Sequence, residues 1–330
     1  MDMRTWPIFM GTLFWLLLPA ARLAALNEEG LAELVEKSEC INITMAYPDF
    51  GMPKLDAHVS AWAESYFREM VEDYKQYCLE DPELREKSAD WTLSVKAKEI
   101  KSTPGTVSMY FRVYGYVGGA YPNQGTETLI LDMEGQRLGY EDLFDTTEGL
   151  WAFLADRAGA DLRRQAKQAG GNPEAAPLTL PPKLESFKYF LVTPGGLTLI
   201  FPADPASADA DEAAVEQRSD VSLKALARFN PKPGLWDAPQ AVTPPFDCAQ
   251  PANRAEAEIC VNPILALYDA EIAREYARVL EVVDKEALQK EQNLWRQMMQ
   301  SRCDSDPVSL CLFEYYRLRL DKLRGIKAAL

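Results

Sequence analysis

Cysteine is the residue type in this chain best suited to covalent chemistry, and there are six. Cys40 and Cys78 lie in the first half, while Cys248, Cys260, Cys303 and Cys311 crowd the last quarter. As thiolates they could attack a substrate or hold a metal; as disulfides they could only staple. The metal option lacks its usual spacing: no Cys-x-x-Cys pair occurs, and the single histidine, His58, is far from the four-cysteine cluster. An even split of two and four, in a chain that opens on an export signal, points to structural disulfides closed within each part. Four clustered thiols allow three pairings, and spacing alone does not choose among them. Local closure, Cys248 with Cys260 and Cys303 with Cys311, is the expectation.

No other catalytic constellation stands out. There is no Walker phosphate loop, no Gly-x-Ser-x-Gly elbow and no His-Glu-x-x-His helix. Gly115, Gly118 and Gly119 follow a strand but lack the helix and downstream acid of a dinucleotide fingerprint. Catalytic residues, metal and cofactor are therefore each expected to be none. What remains is a display element, Gly118-Gly119-Ala120-Tyr121-Pro122-Asn123. Paired glycines permit positive φ and the proline fixes direction. Such a loop could hold Tyr121 and Asn123 for binding, or could simply connect two strands. His58, beside a helical apolar stripe, reads as a packing or surface residue.

The elements that carry these residues follow from periodicity. Leu55, Val59, Trp62, Tyr66, Met70 and Tyr74 recur at helical spacing and end near Cys78. Trp91, Leu93, Val95 and Ala97 alternate as one strand face, and Val107, Met109, Phe111 and Val113 repeat the device after the Pro104-Gly105 turn. A further strand near 126–133 ends at Glu134-Gly135, and a helix spans about Leu150 to Gln168. Phe187–Val192 and Leu197–Phe201 flank Pro194-Gly195-Gly196 as a hairpin. The pattern is that of an α+β domain, helices on a mainly antiparallel sheet. The acidic, alanine-rich tract from Ala203 to Asp220 reads as a solvated loop, the alternative being an acidic binding finger.

Pro231, Pro233, Pro239, Pro244 and Pro245 then break any regular element. Beyond them the pattern is helical. Leu265, Ile272, Tyr276, Val279 and Val283 form one stripe. Leu288, Trp295 and Met299 form a second, and Phe313, Tyr316, Leu320 and Leu323 a third. A small all-α, disulfide-stapled helical bundle is predicted. The expected organisation is thus a signal peptide over 1–25, an α+β domain over 27–236, a Pro-rich linker over 237–245 and a helical domain over 246–330.

The signal is read from Arg4, the apolar run Trp6–Leu18 and the small residues leading to Leu23-Ala24-Ala25, with cleavage after Ala25. That run of 13 residues is short for a span of about 20, so no stable membrane span is expected after cleavage. Localisation is accordingly periplasmic or secreted, in a bacterial envelope. Fifty acidic against thirty-five basic side chains give a net charge of −15. Such a field repels phosphate backbones and excludes nucleic acid as a partner, while favouring cationic ones. The imbalance is local: residues 248–330 hold 12 basic and 13 acidic side chains, whereas 27–247 hold 21 and 36.

Two resemblances follow. From Phe246 onward the chain carries Phe246-Asp247-Cys248, Glu256-Ala257-Glu258-Ile259-Cys260, Pro263, Leu265, Leu267, Asp269 and Tyr276. Glu291-Gln292-Asn293-Leu294-Trp295, Cys303, Cys311 and Tyr316-x-x-Arg319-x-x-x-Leu323 complete the set. This segment resembles the lysozyme-inhibitor LprI-type family of exported bacterial proteins, with Gln292, Trp295, Tyr316 and Arg319 as motif residues. Met299 stands where that family usually has arginine. The preceding part, roughly Cys40 to Trp236, resembles the extracellular module shared by the lysozyme-sensing anti-sigma factor RsiV and the deacetylase PdaC. Its carriers are Tyr47-Pro48, the Gly118–Asn123 loop, Gly135 through Phe144 and the Leu197–Phe201 strand. Tyr121 occupies a position where that module commonly has histidine.

Together the resemblances imply an exported cell-envelope protein that binds, and inhibits, a basic protein such as lysozyme by docking and without catalysis. The alternative is a non-inhibitory module that recognises peptidoglycan or senses envelope stress. In it, exposed aromatics such as Trp151, Trp236 or Tyr121 would stack on sugars.

Overall fold

The computed structural model describes residues 31–38, 41–80, 91–116, 123–168, 180–202, 216–236, 244, 246–305 and 308–326. Strand β3 (Thr92–Ser102) buries Leu93, Val95 and Ala97 on one face, as the period-two pattern requires. A bulge between Ala97 and Glu99 absorbs Lys98, after which Ile100 and Ser102 become the buried residues. β3 pairs antiparallel with β4 (Thr106–Tyr116), and β4 with β5 (Asn123–Asp132). The Pro104-Gly105 turn between β3 and β4 lies under backbone: a Cβ on Gly105 would sit 2.0 Å from the Gly234 carbonyl oxygen. Only glycine permits that approach.

On the other side of β3 the chain adds β2 (Asn42–Tyr47), paired in parallel, and then β1 (Ala32–Lys37), antiparallel to β2. The sheet order is β1-β2-β3-β4-β5. The parallel pair is joined by helix α1 (Pro53–Glu80), the crossover such pairing demands. Leu55, Val59 and Ala63 of α1 are buried against the sheet. The sequence patterns do not mark β1 and β2. Ala32–Lys37 is too polar and helix-prone to alternate cleanly, and pairing fixes it where propensity does not.

A second, three-stranded antiparallel sheet, β6 (Phe190–Thr193), β7 (Gly196–Phe201) and β8 (Gln217–Ser222), lies on the opposite face of β4. Tyr110 of β4 packs with Leu191 and Ile200 there, and the Val192 amide donates to Ser108 Oγ at 2.9 Å. Coverage on both faces explains why β4 is buried without interruption from Thr106 to Phe111. Helix α2 (Leu150–Gln168) packs Leu150, Leu154 and Ala158 into this layer. Two expectations change here. The hairpin's first strand starts at Phe190, because Leu184–Phe187 is a 3-10 turn whose Phe187 carbonyl accepts from the buried Tyr140 hydroxyl at 2.9 Å. The end of the acidic tract is not loop: from Gln217 it is β8, held by pairing to β7 rather than by apolar alternation.

The C-terminal part is helical: α3 (Arg254–Val261), α4 (Pro263–Leu280), α5 (Lys285–Arg302) and α6 (Val308–Gly325). Asn253 and Asp284 cap α3 and α5 through their side chains. Disulfides Cys248–Cys260 and Cys303–Cys311 close locally, with Cα separations of 5.6 and 5.4 Å. Cys40 and the Cys78 side chain lie outside the described residues, as do the signal segment and most of the expected linker.

These helices share one core with the five-stranded sheet. Ile264, Leu265, Leu312 and Phe313 belong to the same buried cluster as Val95, Met109 and Leu129. Asn262, fully buried between α3 and α4, ties the halves together. Its Oδ1 accepts from Ser102 Oγ and its Nδ2 donates to the Ile100 carbonyl at 3.3 Å, while the Ile264 amide donates to Ser102 Oγ at 3.1 Å. The hydrogen bonds that satisfy a buried strand edge and a helix start are here the same bonds.

Candidate functional site

Of the display element, Gly118, Gly119, Tyr121 and Pro122 lie outside the described residues. Asn123 is the exposed first residue of β5, opposite Gly115 of β4. The aromatics considered for sugar stacking are not free platforms. Trp236 is 9% exposed and packs on Phe144 at 5.7 Å, and Trp151 is half-buried against Tyr140 and Phe187. Their hydrophobic area serves the second core. His58 is exposed on α1, its ring lying where a Cβ on Gly135 would be. With φ +91° at Gly135, the tight turn after β5 and this contact both require glycine.

The four motif residues of the helical part do come together, across α5 and α6. Arg319 is 3% exposed; its Nε donates to Gln292 Oε1 at 2.8 Å and its Nη1 bonds Glu291. Its guanidinium lies 5.9 Å from the centre of the Trp295 ring, which is 5.8 Å from the Tyr316 ring. The Tyr316 hydroxyl donates to Asp269 of α4 at 3.2 Å. Burial alone would raise the Glu291 carboxyl, but the hydrogen bonds from Arg319 and Lys322 outweigh it and hold it below the usual range. Burial raises Asp269, against the Tyr316 hydrogen bond. Gln292, Tyr316 and Arg319 are buried and lock the bundle, while Trp295 and Asp269 are half-buried and the Glu291 carboxylate reaches solvent. Met299 is 5% exposed and part of the core.

Two concavities lie where the helices meet the rest of the molecule. The larger, about 620 Å³, is lined by Lys98, Glu99 and Lys101 of β3, Arg218 of β8, and Arg254 and Glu258 of α3. Its charges are interlocked: Arg218 bonds Glu216 at 2.9 Å and reaches Glu99 at 2.5 Å, and Lys101 lies 3.4 Å from Glu258. The bulge at Lys98 turns this stretch of β3 toward the cleft. The smaller, about 250 Å³, is lined by Phe50, Met52, Leu267, Tyr268, Glu271, Arg317, Leu320, Asp321 and Arg324. Arg317 reaches Asp49 at 3.0 Å, and Asp56 accepts from the Phe50 amide at 2.6 Å. Burial pushes the Asp56 carboxyl up to about 7. No pattern along the chain marks this second group. Tyr268 falls on the Leu265 stripe and reads as core, and Asp49, Asp56 and Arg317 are scattered along the chain. Among the described residues no group of histidine, cysteine, aspartate and glutamate is arranged to hold a metal ion, and no helix is long and apolar enough to cross a membrane.

Comparison with known proteins places the first sheet. A family model described as "Deacetylase PdaC" matches residues 34–124, from within β1 to the start of β5. The Bacillus subtilis (strain 168) protein named peptidoglycan-N-acetylmuramic acid deacetylase PdaC is 26% identical over 172 residues, covering 52% of this chain. The chain spans 36% of that relative's length. Among solved structures, a DUF3298 family protein from Pseudomonas aeruginosa PAO1 is 18% identical, with 63% of this chain and 94% of that chain covered and a TM-score of 0.40. A DUF3298 member from Bacteroides fragilis NCTC 9343 is 14% identical, with 60% and 91% covered and a TM-score of 0.39. The N-terminal likeness to the PdaC type is thus supported over residues 34–124. Together with the two disulfides it fits an extracellular or envelope location.

Proposed function

We propose that this is an exported envelope protein that docks onto a basic protein partner such as a lysozyme and restrains it, without catalysis of its own. The observation that carries the proposal is the placement of charge. The surplus of carboxylates that makes the chain −15 resides in the α+β part. Helix α1 alone exposes Glu64, Glu69, Glu72 and Asp73 against Arg68 and Lys75 in the same stretch. Opposite fields of this kind raise encounter rates and select cationic partners. The LprI-type motif residues in the helices and the RsiV/PdaC-type resemblance of the sheet favour lysozyme among basic proteins. The buried state of Gln292, Tyr316 and Arg319 is consistent with motif residues that shape the bundle rather than contact the partner.

A second reading, attachment to peptidoglycan itself, is favoured by the name of the PdaC relative. The two separate in one experiment on the full chain. Calorimetric titration with a c-type lysozyme at low ionic strength, run beside a lysozyme activity assay, is expected to give heat and loss of activity. Cosedimentation with purified peptidoglycan is expected to leave the protein in the supernatant. No heat together with undiminished lysozyme activity overturns the docking proposal, and cosedimentation in that case transfers the function to the wall polymer.

A further inference from the structure

Strand β1 forms an open edge of the five-stranded sheet. Among the described residues only β2 pairs with it, so every second residue of Ala32–Lys37 turns its amide and carbonyl outward without a protein partner. At the opposite edge the chain folds back on β5, bridging Leu131 to Arg137. Helix α1 leaves the β1 edge clear, because Phe67, Met70 and Tyr74 pack with Ile43 of β2 and Leu93 of β3, strands further in. The face of β1 turned away from α1 carries Glu33, Val35 and Lys37 in alternation. Val35 is 55% exposed. Glu33 and Lys37 flank it and form no ion pair among the described residues, whereas Glu36 on the other face is held by Lys75 of α1 at 2.6 Å.

A second copy that extends the sheet antiparallel across this edge is related to the first by a twofold axis normal to the sheet. That operation keeps the faces matched, so the axis must pass beside one residue of β1. At Leu34 it sets Glu33 against Val35 and Ala32 against Glu36. At Glu33 or Glu36 it brings two glutamates together. At Val35 it lays valine on valine and places Glu33 of each copy opposite Lys37 of the other, twice in one contact. Charges on a sheet edge ordinarily keep copies apart. In this register they attract, as opposite charges across a strand pair do. We propose that the β1 edge binds a second copy of this chain in that register, an isologous contact with Val35 at its centre. A strand of six residues offers less than the roughly 1,200 Å² of a standard interface, so the dimer is a weak one. The inference rests on strand pairing and is independent of the docking proposal.

Sedimentation equilibrium of the full chain tests this, from roughly 10 μM to roughly 1 mM protein in about 150 mM salt, which screens the net charge of −15. The weight-average mass should climb from monomer toward dimer across that range. Glu33→Lys and Lys37→Glu each turn two attractions into repulsions, and each should weaken association at least about tenfold. They move the net charge in opposite directions, so a loss common to both marks the local pairing and not overall repulsion. The double variant, Glu33→Lys with Lys37→Glu, restores complementarity and should dimerise like the parent. Both side chains reach solvent, so circular dichroism should be the same for all four chains. A parent that stays monomeric over the whole range overturns the proposal. So do single variants that follow net charge, one tightening and the other weakening, and so does a double variant that stays monomeric.

Discussion

Replacing Asn262 with alanine tests whether the helical part and the five-stranded sheet stand or fall together. Asn262 is fully buried, and the substitution removes an acceptor from Ser102 Oγ and a donor from the Ile100 carbonyl at 3.3 Å. Ser102 keeps the Ile264 amide at 3.1 Å as a donor to it, so its hydroxyl loses one of two partners. Each buried group left short costs about 1–3 kcal/mol, and the smaller side chain adds a small cavity. The sum for two partly compensated groups is about 3 kcal/mol. In a chain of this size that lowers the melting temperature by roughly 5–10 °C. Urea denaturation followed at once by tryptophan fluorescence and far-UV circular dichroism would measure it. Trp62 and Trp91 report the first sheet and Trp295 the helices, so a shared core predicts one coincident transition, displaced as a whole. The exposed Asn293→Ala serves as a control, within about 0.5 kcal/mol of the parent. A displacement below about 1 kcal/mol, or a helical transition that moves while the sheet's stays, would refute the coupling.

Further outcomes are expected. Cys260→Ser opens a loop with a sequence separation of 12, for which chain entropy gives about 3 kcal/mol; unchanged melting in oxidising buffer would contradict a stapling role. Asp56, raised from 3.8 to about 7 by burial, binds its proton more tightly folded than unfolded. Stability should therefore be favoured at low pH and fall as pH rises from about 4 through 7. The loss is about 2–3 kcal/mol once partial exposure is discounted, and Asp56→Asn should flatten that slope in denaturation curves across the range. Arg319→Met leaves the buried Gln292 amide oxygen without its donor and should cost about 1–3 kcal/mol, with a shift in Trp295 emission. Unaltered emission and stability would remove the motif's structural role.

Where one face is buried and one wet, the sequence states its fold openly. The alternation of Leu93, Val95 and Ala97 and the helix from Leu150 to Gln168 appear in the structure at the expected places. Local disulfide closure also appears as expected. What stayed hidden depends on partners distant in the chain. β8 carries Gln217, Arg218 and Asp220 and has no strand pattern of its own; it exists because β7 offers an edge. The parallel placement of β2 beside β3 depends on α1 crossing over, which no local pattern encodes. The smaller concavity gathers Asp49, Asp56, Tyr268 and Arg317 from segments more than 200 residues apart, and so has no motif. Trp151 and Trp236 misled for the same reason, since a tryptophan's exposure is decided by what folds over it.

The association rate constant with a c-type lysozyme, measured by stopped flow from roughly 20 to 500 mM salt, bears most directly on the docking proposal. Attraction by the carboxylate-rich α+β part predicts rapid association at the low end and a fall of at least about tenfold across that range. A rate that does not change with salt, or no complex at the lowest salt, would contradict it.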